Sequence, residues 1–286
     1  MNHPAELPLH RYLDNASNGK TTMSDETIER VADDIKDALK RQFGGGNRRD
    51  KFRLRMSNIG RPTCQLWWEK NHPEKALPKP TTFVMNMLIG DIVEAAFKGI
   101  LTEAGIKFEE SDNVSLELDS ETRISGSYDL VVDGALDDVK SASPWSYQNK
   151  FESYDTLAKG DSFGYVGQLA GYIKASGKKV GGWWVVNKGN GEIKYVPASG
   201  LDVDAEIDKI KQTVKTVEGN EFKRCFEPEP EMYRGKLSGN NKLPDGCKFC
   251  DYRYACWDKE IKDLPSKVYQ GKKTPPTVSY IGEVVD

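Results

Sequence analysis

The chain has 286 residues, 37% of them hydrophobic, with 41 Lys and Arg against 44 Asp and Glu for a net charge of -3. That length buries a sizeable core, while the near-balance of charge excludes a protein that coats nucleic acid through overall basicity, so any DNA contact must use a local patch. No apolar run approaches the ~18 residues of a membrane span and no signal-peptide pattern is visible, so a cytoplasmic protein without membrane contact is expected.

Residues 1–23 are polar and are expected to be mobile. Ser24 reads as the N-cap of a helix in which Ile28, Val31, Ile35, Leu39 and Phe43 recur at helical spacing, with acids in its first turns and Lys40-Arg41 in its last. Gly44-Gly45-Gly46 ends it, and Asn47-Arg48-Arg49-Asp50 continues as a polar linker. A second helix is predicted from Pro62 to Lys70 with Cys64 in its first turn. A third runs from about Met85 to Ala104, where Ile89, Ile92, Val93, Ala96, Phe97, Ile100 and Leu101 make a buried stripe with Glu94 at its margin.

Strands are predicted at residues 114–118, 122–132 and 135–141, followed by a helix over 163–175. The strand Gly182 to Asn187 then pairs with Glu192 to Val196 across Gly189-Asn190-Gly191, and a last helix carries Val203, Ile207, Ile210, Val214 and Val217. This order predicts an α/β fold, a mixed sheet flanked by helices. The expected division is an N-terminal arm and helix over 1–50, one domain over 51–264, and an extended tail over 265–286.

The chemistry is concentrated in a hairpin. Asp133-Gly134 is a strong two-residue turn signal. If it closes the hairpin, Val132 faces Ala135, and counting outward sets Asp129 opposite Asp138, with Cβ atoms ~5 Å apart. Lys140, two residues beyond Asp138, projects from the same face. Like charges placed opposite each other destabilise a sheet, and a bound divalent cation supplies a reason for the pair. Two hard oxygen ligands for magnesium or manganese beside one fixed positive charge are the parts that phosphodiester hydrolysis needs. A lone triplet of this kind also fits a solvated hairpin, so the rest of the chain has to decide.

A second constellation is Cys247-Lys-Phe-Cys250-Asp-Tyr-Arg-Tyr-Ala-Cys256, three thiols spaced C-x2-C-x5-C. Metal ligation needs a fourth partner, and Cys64 and Cys225 are the candidates. Cys225 would make a local knuckle suited to zinc, whereas Cys64 would join the two ends of the core and suit a cubane iron-sulfur cluster. The three histidines, His3, His10 and His72, are too few and too peripheral for a serine-histidine triad or a histidine-rich zinc site.

Together these residues resemble the PD-(D/E)xK nuclease superfamily, in its RecB-like branch with an iron-sulfur cluster. That branch includes CRISPR-associated RecB-like exonucleases, their phage relatives and the AddB nuclease domain. Glu94 in Gly90-Asp-Ile-Val-Glu94 is similar to the family's first helix motif, Asp129 to its strand acid, Asp138-Val139-Lys140 to its (D/E)-x-K, and Gln168-Leu-Ala-Gly-Tyr172 to its Q-x-x-x-Y. The resemblance spans about residues 55 to 260 and implies a restriction-endonuclease-like core with a C-terminal iron-sulfur segment.

It implies that Glu94, Asp129, Asp138 and the Val139 carbonyl bind magnesium or manganese, that Lys140 orients the attacking water, and that Gln168 and Tyr172 position the phosphate or the lysine. It further implies a 4Fe-4S cluster on Cys64, Cys247, Cys250 and Cys256, which leaves Cys225 over as a plain thiol. The implied substrate is DNA, single-stranded or with a free end, digested as an exonuclease. The alternatives are a structure-specific endonuclease or processing factor working with a recombination or CRISPR adaptation complex, and a scaffold that binds DNA without cutting. Some relatives assemble into rings, but no interface stripe stands out in this sequence.

The chain departs from the family in having Glu94 where CRISPR-associated members commonly have His, Asp138 where Glu is commoner, and no arginine just after Cys64. Trp67, Trp68, Trp145 and Tyr147 are candidates for stacking on single-stranded bases. Arg53, Arg55, Arg61, Lys150 and Lys188 are candidates for phosphate contacts.

Overall fold

The computed structural model describes residues 3–44, 52–119, 122–219, 221–269 and 273–285. The linker expected at 47–50 lies outside them. Where one domain was expected over 51–264, the chain divides into two units, Met1–Gly60 with Pro80–Val214, and Arg61–Lys79 with Lys215–Asp286.

In chain order the helices and strands begin with α1 (Glu6–Ser17), α2 (Asp25–Phe43), a short α3 (Met56–Ile59), α4 (Thr63–Asn71) and α5 (Thr82–Glu103). Next come β1 (Phe108–Glu109), β2 (Asn113–Glu117), β3 (Arg123–Ser127), β4 (Leu130–Val132) and β5 (Ala135–Ala142). Helices α6 (Tyr154–Lys159) and α7 (Tyr165–Ser176) lead to β6 (Lys179–Asn187), β7 (Ile193–Pro197) and α8 (Val203–Glu218). The chain ends with β8 (Glu229–Tyr233), β9 (Lys236–Lys242), α9 (Arg253–Trp257), β10 (Ile261–Pro265) and β11 (Thr277–Ile281).

The first unit is a mixed α/β structure. Its main sheet has the order β1-β4-β5-β6-β7, with β5 and β6 parallel and the other pairs antiparallel. Side chains alternate along a strand, so Trp183 and Val185 join one core with Leu169, Tyr172 and Ile210. Trp184, between them, joins a second core on the other face with Leu9, Phe97 and Leu101. Helices therefore cover both faces, and β4 and the centre of β6 are apolar on both sides.

The hairpin turn forms as expected. Asp133 and Gly134 both take positive φ, +52° and +77°, the left-handed pair that a two-residue hairpin turn requires, and Val132 pairs with Ala135. The strand expected over 122–132 is broken, however. Its first half pairs with β2 in a separate two-stranded sheet, Tyr128 turns into the core, and pairing with β5 begins at Leu130 opposite Asp137. Gly126 lets β3 pass close to its neighbours, because a Cβ there would lie 2.7 Å from Met56 Cβ and 3.0 Å from the Tyr172 hydroxyl.

Three further expectations are corrected. Residues 6–17, placed in a mobile arm, form α1, and Ala5 and Leu9 are buried in the second core. Ser24 caps α2 by accepting from Thr27 N at 3.3 Å, yet Ile28, Leu39 and Phe43 stay largely exposed while Thr27 and Ala38 are buried. Small residues on the buried side, with Gly99 of α5 against Val31 and Thr27, bring the two helices close. Finally, the tail is not merely extended. Its β11 pairs with β10 and, at Tyr280, with β9, making the sheet β10-β11-β9-β8 of the second unit. None of the described helices is long and apolar enough to cross a membrane.

Candidate functional site

On β5, Leu136, Asp138 and Lys140 alternate with Asp137 and Val139, so the two sets face opposite cores. Asp138 is 3% exposed, and its Oδ2 lies 2.5 Å from Lys140 Nζ. Asp129, just before β4, is half-buried, and its Oδ2 accepts the Val139 N–H at 2.7 Å. Strand pairing ends at Leu130–Asp137, and Asp129, one residue beyond, is tied to β5 through its side chain, near enough to Asp138 for the two charges to interact. Glu94 on α5 receives Lys98 Nζ at 2.6 Å, and Lys98, itself buried, carries no feature in the sequence that marks it.

The electrostatics follow from crowding acids out of water. Burial, and then the neighbouring Asp138 charge, pushes the Asp129 carboxyl up to about 6, against the pull of Lys140. Burial also raises Asp138, with Lys140 opposing and Glu94 adding to the rise. Glu94 is raised by burial and by Asp129, partly offset by Lys98. Burial alone would lower Lys140, but Asp138 and then Asp129 outweigh it, and the ammonium is held above its ordinary range. Three acids that resist ionising thus surround one cation that resists losing its proton.

Helix α7 supplies Gln168 and Tyr172, one turn apart on the same face. Burial pushes the Tyr172 phenol up to about 12, with a hydrogen bond to Gln168 pulling the other way. The helix is seated by close backbone approach. A Cβ on Gly60 would lie 2.4 Å from the Gly164 carbonyl oxygen, and one on Gly171 would lie 2.7 Å from Met56 Sδ. Asp161 caps its start by accepting from Gly164 N at 2.9 Å and Val166 N at 2.8 Å.

Behind Asp138 lies a network that the sequence does not announce. Asp137 is fully buried, and its Oδ1 accepts from Gly182 N at 2.9 Å and from the Tyr195 hydroxyl at 2.8 Å. Its Oδ2 accepts from Trp184 Nε1 at 3.3 Å. The β5–β6 register shifts between Leu136 and Asp138, and the Asp137 carboxyl satisfies the amide that the irregularity leaves without a strand partner. His3 completes the group. Its Nδ1 accepts Ala5 N, which leaves Nε2 as the donor toward Asp137 Oδ2 at 3.3 Å. A histidine expected in a mobile arm is therefore packed against Trp184 and Tyr195.

All five cysteines lie in the second unit, and none is in a disulfide. Helix α4 brings Cys64, with its N–H donating to Cys225 Sγ at 3.0 Å. Cys247 and Cys250 flank the short turn before α9, and Cys256 is on α9. The side-chain hydrogen bond with Cys64, helped by the backbone N–H, lowers Cys225 to about 7. A hydrogen bond between the two thiol side chains, with burial, raises Cys64. Burial pushes Cys247 up to about 12 and Cys250 up to about 11. Trp68, on the same helix as Cys64, stacks on Tyr252 between Cys250 and Cys256. Arg224 donates to the Cys256 carbonyl at 2.9 Å and lies over the Trp257 ring, which holds the Cys225 loop to α9.

Of the residues considered for nucleic-acid contact, Trp67 and Trp68 pack on each other, His72 and Phe222. Tyr147 has Lys194 over its ring, and Trp145 is 68% exposed. Lys188 donates to Asn86. Lys150 instead lies over the rings of Phe163 and Tyr165, two aromatics the sequence reading passed over. Among the described residues, no three His, Cys, Asp or Glu side chains already share one coordination position.

No family model matches the chain, and no curated protein matches it. Among solved structures, that of SSO0001 superposes with a TM-score of 0.43 at 10% identity, covering 82% of this chain and 96% of that one.

Proposed function

We propose that this chain is a divalent-metal-dependent deoxyribonuclease with a restriction-endonuclease-like core, acting as an exonuclease on single-stranded or free-ended DNA. The observation that carries the reading is the group Asp129, Asp138 and Lys140 at one hairpin, with Asp138 buried, the other two half-buried, and the two acids close enough to interact electrostatically. Packing gains nothing from two carboxyls that each raise the other's cost of ionising. A hard cation removes that cost, and the oxygen donors of Glu94, Asp129, Asp138 and the Val139 carbonyl fit magnesium or manganese. When bound, such a cation supplies charge neutralisation at the phosphate and lowers the pKa of water.

The residues divide the remaining work. Lys140 keeps its proton under the pull of Asp138 and Asp129, so it offers a fixed charge to the phosphate oxygens and a donor to orient water. Val139 N–H holds Asp129 in place through the backbone. Lys98 holds Glu94 at the edge of the group. Gln168 and Tyr172 stand on the helix over the same face to position Lys140 or the substrate. The discriminating test offers linear single strands and closed single-stranded circles with magnesium or manganese. An exonuclease degrades the first and leaves the second intact; cutting of circles overturns the exonuclease assignment in favour of an endonuclease.

For the second unit we propose a cubane iron-sulfur cluster held by Cys64, Cys247, Cys250 and Cys256; the reading is supported by Trp68 of α4 stacking on Tyr252, between Cys250 and Cys256, and by the electrostatic interaction of Cys64 with Cys256. Buried thiols with raised pKa values need a strong local positive charge to become thiolates, and a polynuclear iron site provides one when bound. Protein purified without oxygen is expected to carry iron and labile sulfide, with Cys64→Ser and Cys247→Ser each losing most of both and Cys225→Ser keeping them. Loss of iron in Cys225→Ser with retention in Cys64→Ser would transfer the fourth position to Cys225.

A further inference from the structure

Tyr165 connects the Asp138–Lys140 pair to the protein surface. Its ring centroid is 5.1 Å from Lys140 Nζ. It stacks on Phe151, with centroids 5.8 Å apart and planes at 26°, and on Phe163, at 5.7 Å and 14°. Phe151 is 3% exposed whereas Phe163 is 46% exposed. The rings therefore run from the buried Phe151 to the partly exposed Phe163, one ring beyond the residue that contacts the lysine.

The exposed end is held firmly. Phe163 sits in the turn before α7, where Asp161 accepts from both Gly164 N and Val166 N and Gly164 takes the left-handed φ of +79°. Lys150 adds a charge at the same place, with Nζ 4.6 Å from the Phe163 centroid and 4.8 Å from that of Tyr165. A single exposed phenylalanine is ordinary on a protein surface. An exposed ring on a capped turn, backed by two stacked rings and with the Lys150 ammonium over it, itself 3.9 Å from Asp161 Oδ1, has the composition of a site for unpaired bases, which supply a π-face and a phosphate together. Duplex DNA keeps its bases stacked on one another and offers only phosphates to such a site.

We infer that Phe163, backed by Tyr165 and Phe151 and flanked by Lys150, is a stacking platform for one unpaired nucleobase of a single-stranded nucleic acid, next to the Asp138–Lys140 pair. The inference rests on the nuclease reading and adds to it the feature that selects single strands.

The test measures anisotropy of a fluorescent mixed-sequence single strand with the full chain carrying Asp138→Ala, in magnesium, so that binding is read without cleavage. Adding Phe163→Ala is expected to weaken binding by about 5- to 150-fold, the range for losing one stacked base. Phe163→Trp restores it, and binding to a blunt duplex is unchanged by either. A series of strands each lacking one base should contain one position where base removal weakens binding to the Asp138→Ala protein but not to the variant that also carries Phe163→Ala.

Equal binding with and without Phe163, and no such position in the series, overturns the platform while leaving the nuclease reading in place. Failure of the Asp138→Ala protein to bind any single strand overturns both.

Discussion

Asp129→Asn is expected to abolish cleavage, by ~10²- to 10³-fold or more, while making the protein more stable at neutral pH. The loss of activity follows from removing one of two paired oxygen charges where the cation must bind. The gain follows from linkage. Asp129 has a folded-state pKa raised to about 6 against the 3.8 of an unburied aspartate. Between these values the folded state holds a proton that the unfolded state has lost, so stability falls as pH rises from about 4 to about 6 and stays reduced above that.

An asparagine carries no charge, and its side-chain oxygen still accepts the Val139 N–H, so the penalty is removed without unlinking β4 from β5. A gain of ~1–3 kcal/mol at pH 7 is expected, shrinking toward zero near pH 4, when chemical unfolding of wild type and variant is compared across pH without divalent ions. A variant that is less stable than wild type at pH 7 would mean that the two acids are not in conflict.

The second large effect lies one residue from Asp138 and has the opposite sign. Asp137→Ala is expected to cost ~3–5 kcal/mol in a urea titration, because four donors, from Gly182, Tyr195, Trp184 and His3, lose one fully buried acceptor. Asp137→Asn should cost less, since one of its two side-chain atoms still accepts. Activity in the alanine variant falls with stability, because β5 carries Asp138 and Lys140 and the β5–β6 register shift beside them is held by this carboxyl. A loss below ~1 kcal/mol would show that the network is not needed to hold the strand.

Locally encoded features were legible in the sequence. The Asp133-Gly134 turn, the hairpin register from Val132–Ala135 out to Leu130–Asp137, the Ser24 cap and the shared face of Gln168 and Tyr172 all follow from one stretch of chain read against helix or strand geometry. What was not legible depends on partners far apart in sequence. Asp137 and Asp138 look alike in a row of letters, and only the buried Tyr195, Trp184 and His3 give the first a structural part. The break at Tyr128 reflects close packing of Gly126 on Met56 and Tyr172, which no periodicity reveals. Pro265 and Pro275-Pro276 suggested an extended tail, yet the residues leading into Pro265 and those after Pro276 pair as β10 and β11, with β11 joining β9 at Tyr280. Phe163 and Tyr165 read as the apolar start of a helix, and only their stacking on Phe151 beside Lys140 sets them apart.

The most direct measurement is digestion of single-stranded DNA labelled at either end, with magnesium or manganese and with chelator, by wild type, Asp138→Ala and Lys140→Ala. The nuclease reading requires cation-dependent loss of DNA that chelator stops and both substitutions abolish, with the label lost first giving the polarity. Intact DNA after incubation with wild-type protein that carries its iron and either cation, or digestion that survives both substitutions, would contradict it.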